Sequence, residues 1–325
     1  MKPAAVYEKS AAWLQIRERG SMPLLRLIAW ISLTLGRRAG RVLLHLTTCY
    51  FVLTSFAMRR ASRAYLARAL ERRARWTDVY RHFFYFATTV HDRIFLLNRR
   101  HDLFDIQIRG RETILPLIEA GQGIFLMGAH LGSFEVLRAI GRELPGLRVA
   151  MVMHEDGVQK INAVLAAINP AASQDVIGLG RIDSMLRLHE SLQAGMLVGM
   201  LPDRTLGDEA MTPVQLLGSP AALPIGPFRM AAMLRRPVVF MTGLHLGGNR
   251  YEVNFDTLAD FSAMAPGQRN TAVQAAIVRY AELLERYCRR APYNWFNFYD
   301  YWHDEAQKPA VAAHANTPQP TELTQ

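Results

Sequence analysis

From Leu103 to Phe255 the chain alternates short apolar runs with longer stretches whose apolar residues recur at helical spacing, and this rhythm constrains the fold more than any other feature. Leu103–Ile108, Ile124–Met127, Arg148–Met153, Asp175–Leu179, Met196–Leu201, Pro237–Leu244 and Tyr251–Phe255 read as strands. Glu112–Ala120 reads as a helix closed by Gly121, Val158–Ile168 as one ended before Pro170, and Ile182–Gln193 as one stopped by Gly195. A further helix follows from Phe228, after a Gly- and Pro-dense loop beginning at Leu216, and Thr271–Arg289 is long and amphipathic. Strands alternating with helices predict an α/β fold, a mixed and largely parallel central sheet flanked by helices.

The strand Ile124–Met127 leads into Gly-Ala-His-Leu-Gly-Ser-Phe-Glu, ending at Glu135, and then into a helical pattern carried by Val136, Leu137 and Ile140. His130 therefore falls where a strand hands over to a helix. Five positions along a helix point His130 and Glu135 apart, so they meet only if His130 sits in the turn before the first helical residue. In that geometry the carboxylate takes the proton of one ring nitrogen and leaves the other as a general base. Backbone N–H groups from Leu131 to Phe134 would stand beside it for an oxyanion. Gly128 and Gly132 permit close approach of backbone or substrate. A His and a Glu at this spacing are common by chance; the preceding strand and the glycines single this pair out.

Residues 1–100 hold 19 Lys and Arg against 5 Asp and Glu, a balance of +14, while the remainder of this +10 chain holds 19 against 23. Nucleic acid and anionic lipid compete as partners for such a segment. It also carries the most apolar runs, Pro23–Leu35 and Val42–Met58, bounded by Arg37, Arg38, Arg41, Arg59 and Arg60, which favours lipid. Neither run reaches the roughly 20 residues of a clean span, so the expectation is one N-terminal span or a pair of embedded helices, with two core helices of a soluble protein as the alternative. The organisation expected is a helical membrane-anchoring region over 1–100, an α/β domain over 101–305 and a disordered tail over 306–325. Between Ser62 and Arg100, Tyr65, Leu66, Ala69 and Leu70 mark one apolar face, Val79, Phe83, Phe86, Val90, Ile94 and Leu97 another, and His82 and His91 read as satisfied or surface histidines. The two cysteines, Cys49 and Cys288, form no disulfide framework.

Leu201-Pro-Asp-Arg follows a strand, where α/β sheets bind ligands, so Asp203 and Arg204 either face the site or form a surface ion pair. The run from Ala291 to His303 is dense in aromatics and reads as packing under the domain or as an interfacial belt. No Gly-x-Ser-x-Gly elbow, dinucleotide fingerprint or phosphate-binding Gly-Lys-Ser/Thr loop is present, and His154-Glu155 is half a zinc motif with Val at 158. No metal or cofactor is expected. Ser133 is a candidate nucleophile without an elbow, better suited to capping or packing. The chemistry left is acyl transfer by base catalysis, with no nucleic-acid-binding module in view.

These motifs, in this order, resemble the lysophospholipid acyltransferase superfamily and, within it, the bacterial lipid A biosynthesis lauroyl/myristoyl acyltransferases, over about Trp13 to Trp302. Gly-Ser-Phe-Glu, where those enzymes usually read Gly-Asn-Trp-Glu, and the aromatic ending look more like the acyltransferase branch of aryl-polyene and glycolipid gene clusters. The resemblance implies an enzyme on the cytoplasmic face of the inner membrane, moving a fatty acyl group from acyl carrier protein to a lipid, glycolipid or aryl-polyene-type hydroxyl without metal. It gives His130 the base role and Glu135 the orienting role, and matches Asp203 to the family's later aspartate. Gly132, Ser133, Arg204 and Arg229 then stand as substrate contacts. The alternatives are a lipid A secondary acyltransferase and an inactive membrane lipid-binding protein.

Overall fold

A computed structural model describes residues 22–143, 148–154, 168, 176–179, 183–204, 209–265 and 267–302. The expected helix before Pro170 apart from Ile168, Glu155 of the half zinc motif, and the tail over 306–325 lie outside them.

Seven strands form one sheet: β1 (Asp105–Arg109), β2 (Ile124–Met127), β3 (Val149–His154), β4 (Val176–Leu179), β5 (Leu197–Met200), β8 (Pro237–His245) and β9 (Arg250–Asp260). Their spatial order is β1-β9-β8-β2-β5-β3-β4. Every neighbouring pair is parallel except β8 and β9, so the expected mixed, largely parallel sheet is what the chain builds. β2 and β5 lie in its middle, and their unbroken apolar runs follow from burial on both faces.

Alternation along β2 shows how the layers pack. Phe125 and Met127 join a cluster with Phe228 of α7 (Gly226–Met233) and Ile277, Tyr280 and Leu284 of α8 (Arg269–Arg290). Ile124 and Leu126 face the opposite layer, with Ile114 of α4 (Arg111–Glu119) and Val136 and Leu137 of α5 (Phe134–Glu143). Leu188 and Leu192 of α6 (Ser184–Gln193) belong to the first cluster.

The stretch after Leu216 differs from the expected loop. β6 (Met211–Leu216) and β7 (Ser219–Pro224) form an antiparallel hairpin, and the helix after it starts at Gly226. Its turn, Leu217-Gly218, has φ of 52° and 71°, the two positive values of a tight hairpin turn. Leu217 bears that strain while its N–H donates to Glu285 Oε2 at 2.6 Å. A two-stranded ribbon has open edges, which is why prolines are tolerated in it.

The N-terminal runs form α1 (Met22–Thr54), broken at Gly36, followed by α2 (Phe56–Ala69) and α3 (Trp76–Leu97). Among the described residues no single helix is long and apolar enough to cross a membrane; Trp30–Thr54 and Phe56–Ala69 pass that test only as a pair bent by 97°. From Trp30 onward, Ser32, Gly40, Thr48 and Val52, spaced in multiples of four, are the buried positions of α1. A side chain at Gly40 would collide with His91 of α3. Arg37 grips Asp92 through two bonds of 2.7 Å, and the Tyr251 hydroxyl donates to Asp92 at 2.8 Å, so a bidentate pair on a buried carboxylate ties α1, α3 and β9 together. Tyr65, Leu66, Val79 and Phe83 share the first core cluster with the sheet, whereas Phe86 and Val90 are exposed.

Candidate active site

The pairing of two central strands sets the site. β2 and β5 run parallel in a register that opposes Ile124 to Leu197 and Met127 to Met200. Three residues past each strand stand His130 and Asp203, separated by the same 73 positions as the paired strand residues. Strand register thus places an imidazole and a carboxylate side by side at the carboxyl edge of the sheet, where such folds bind ligands.

Asp203 is buried and accepts three hydrogen bonds: His130 N–H at 3.0 Å, His130 Nδ1 at 2.8 Å and Trp295 Nε1 at 3.0 Å. Burial alone would raise its pKa, but the His130 ring and its bond, the Arg204 charge and the Trp295 indole bring it down to about 2. An ionised carboxylate only accepts, so the proton of His130 sits on Nδ1. Among the described residues Nε2 has no hydrogen-bond partner, and 37% of the side chain is exposed. The His130 pKa is lowered by burial of the ring and by Arg204, against the opposing pull of Asp203. The imidazole is a neutral base held in one tautomer.

Glu135 does not hold the imidazole. Leu131 bridges to Trp295 and Gly132 to Gly243, so the chain stays non-helical after His130 and the helix starts only at Phe134. Glu135 is buried, 3.7 Å from Arg93 Nε of α3, and no hydrogen bond or ion pair joins it to His130. The expected role passes to Asp203 because that residue shares a strand register with His130, which Glu135 does not.

The expected oxyanion donors are largely consumed. Leu131 N–H donates to Ala129 O at 2.6 Å, Gly132 N–H to Asn294 O at 2.9 Å and Ser133 N–H to Gly243 O at 2.7 Å. Gly132 is glycine for a structural reason: its φ is +78° and a Cβ would run into the Gly243 carbonyl. Ser133 is buried directly before α5. Arg204 belongs to the site: Nη2 donates to Phe296 O at 2.7 Å, the guanidinium lies 5.6 Å from the Tyr299 ring, and Nε is buried without a partner. Arg229 is exposed on α7, with no hydrogen bond or ion pair to His130 or Asp203.

The aromatic segment is the wall of the site. Phe296 N–H donates to His130 O at 2.8 Å, and Asn294 clamps the His245 backbone through both ends of its amide. Tyr280 hydroxyl donates to Gly128 O at 2.7 Å. Behind Trp295, buried His82 donates from Nε2 to the Trp295 carbonyl at 2.8 Å, and its Nδ1 takes the Ser62 hydroxyl at 2.8 Å. Neither Trp295 nor Tyr280 is legible as a site residue, since aromatic density marks packing and says nothing of which indole finds a carboxylate.

The family model of the bacterial lipid A biosynthesis acyltransferase matches residues 78–304, from the start of α3 past the aromatic wall. No curated protein matches the chain. The match covers the strands that carry His130 and Asp203 as well as the segment that closes over them, and the chain belongs to the bacterial lipid A biosynthesis acyltransferase family, acyltransferases of lipid biosynthesis.

Proposed function

We propose that the chain transfers a fatty acyl group from acyl carrier protein to a hydroxyl of a lipid, glycolipid or aryl-polyene-type acceptor, with His130 as general base. The observation that carries this reading is a neutral imidazole whose Nδ1 is held by Asp203 while Nε2 is unbonded. Nε2 takes the acceptor hydroxyl proton as the oxygen attacks the thioester carbonyl. The tetrahedral intermediate then collapses, the carbon–sulfur bond breaks, and the imidazolium returns its proton to the leaving thiolate. Arg204, with an unpartnered Nε beside the pair, supplies the positive charge for the oxyanion that the backbone donors at 131–133 do not. Glu135 acts at one remove, tying α5 to α3 through Arg93.

The basic balance of residues 1–100 supports an acidic carrier as donor. The outward face of α1, with Leu35, Val42, Leu46 and Leu53 exposed, supports placement against the cytoplasmic face of the inner membrane. The test is consumption of acyl carrier thioester by the purified protein, offered a lipid A precursor or an aryl-polyene glycolipid. His130→Ala and Asp203→Ala, both folded, are expected to lose on the order of a hundredfold or more in turnover. Undiminished turnover by either variant removes the assignment.

A further inference from the structure

Between the end of α2 and the start of α3 the chain folds a cleft that the acyl-transfer site does not use. Arg63, Arg72, Arg73, Arg75 and Trp76 line it, with a volume of about 570 Å³. Among the described residues, Arg72 alone of the four arginines has a carboxylate partner, Asp78, at 2.7 Å, and Arg63, Arg73 and Arg75 form no ion pair. These three exposed guanidinium groups leave the lining of the cleft positive, a surface that favours a bound anion. The 22-residue α3 begins on the same cleft at Trp76, its first turn capped by the Asp78 carboxylate, which accepts the Arg75 N–H at 2.8 Å, so the anion-attracting charge of the cleft is that of the arginines.

The surroundings identify the anion. Trp76 is 56% exposed and Phe56 is 71% exposed, and the Arg59 guanidinium lies 5.4 Å from one ring and 5.5 Å from the other. Arg63 stacks on Trp76 at 4.9 Å. Arg59 also caps the last turn of α1, donating to the carbonyls of Val52 at 2.6 Å and Leu53 at 2.9 Å. The exposed apolar face of α1 therefore runs through Leu53 and Phe56 to the rim of the cleft, an arrangement of apolar face, aromatic ring and arginine head that matches the depth profile of a lipid interface. An acidic protein docked on the arginines would leave that rim in water.

We propose that this cleft binds the phosphate of an anionic phospholipid headgroup, with Arg63, Arg73 and Arg75 as its donors and Trp76 at the level of the ester groups. The proposal rests on the membrane-facing reading of α1 and not on the acyl-transfer reading.

Sedimentation of the full chain with phosphatidylcholine vesicles, with and without phosphatidylglycerol, tests it. The folded Arg63→Gln/Arg73→Gln/Arg75→Gln protein is expected to lose about thirtyfold or more in affinity for the phosphatidylglycerol vesicles and to keep its binding to pure phosphatidylcholine. Arg111→Gln/Arg187→Gln/Arg229→Gln, which removes the same charge elsewhere, is expected to change affinity by less than about threefold. Millimolar inorganic phosphate is expected not to displace the vesicles. Equal losses in the two triple variants, or displacement by phosphate, overturn the proposal, as does a raised KM for the carrier protein or the acceptor with vesicle binding intact. Absence of binding to either vesicle removes the membrane-facing reading together with the cleft, whereas binding indifferent to phosphatidylglycerol removes the cleft alone.

Discussion

Three donors on one carboxylate make Asp203 the fixed point of the site, and the chemistry of His130 follows from it. The base is active when neutral, so the rate is full above the His130 pKa and falls as pH drops through it. Because that pKa is lowered, the acid limb of a kcat/KM profile is expected below about pH 6.5. Asp203→Asn keeps the shape but loses control of the tautomer, and turnover is expected to fall on the order of a thousandfold, read in the same thioester assay. Trp295→Phe removes one of the three donors and leaves the ring in place. It is expected to lower kcat about tenfold with KM unchanged, whereas a merely structural role would change stability and leave the profile as it was. The sequence makes His130 visible because a strand, two glycines and a helix bracket it. Asp203 is half visible, at a strand end; its pairing with His130 needs the strand register, which no local pattern encodes. Glu135 misleads because spacing along the chain says nothing about the path of the non-helical residues between.

At the scale of elements, the loop from Gly128 to Ser133 is held by β5, β8, the aromatic wall and Tyr280 of α8. Gly132 and Gly243 face each other backbone to backbone, and a Cβ on either meets a carbonyl. Gly132→Ala, with a positive φ as well, is expected to destabilise the fold by about 2–4 kcal/mol, measured by urea unfolding. Behind the wall, His82 and His245 are buried, and desolvation pushes each pKa down to about 4. The unfolded chain therefore binds more protons than the folded one between about pH 4 and 6.5, so stability is complete above that window and declines as pH falls through it. The loss is expected to be on the order of 3 kcal/mol per histidine, and His82→Phe should flatten the slope by one proton. Strands and helices of the sheet layer are legible because β2 and β5 are apolar throughout and their flanking helices are not. The β6–β7 hairpin is not legible, because Leu217 takes a conformation that a sequence reader reserves for Asn or Gly.

The molecule as a whole is asymmetric about α1, and there sequence and structure say different things. By composition α1 is an apolar helix, a candidate for a core or a span. In place, three of its four buried positions are small or polar, Ser32, Gly40 and Thr48 beside Val52, and Arg37 reaches inward to Asp92, while Trp30, Leu35, Val42, Leu46 and Leu53 face outward. A helix at home in water presents the reverse pattern. Tethered along α3 by the Arg37–Asp92 pair, it is placed to lie along a surface, with the basic cleft at its far end. Changing Leu35, Val42, Leu46 and Leu53 to Ser is expected to abolish sedimentation with vesicles, since each buried side chain of this size contributes about 1.5–3 kcal/mol of transfer free energy. The same variant should keep its turnover on acceptor presented in non-ionic detergent, because none of the four touches the His130 site. Gly40→Leu acts on the other side of the helix: it forces α1 off His91, and it should lower thermal stability while leaving the outward face intact. If the serine variant still sediments with vesicles, the outward face is not what meets the lipid, and the orientation of the whole molecule at the membrane has to be drawn from another surface.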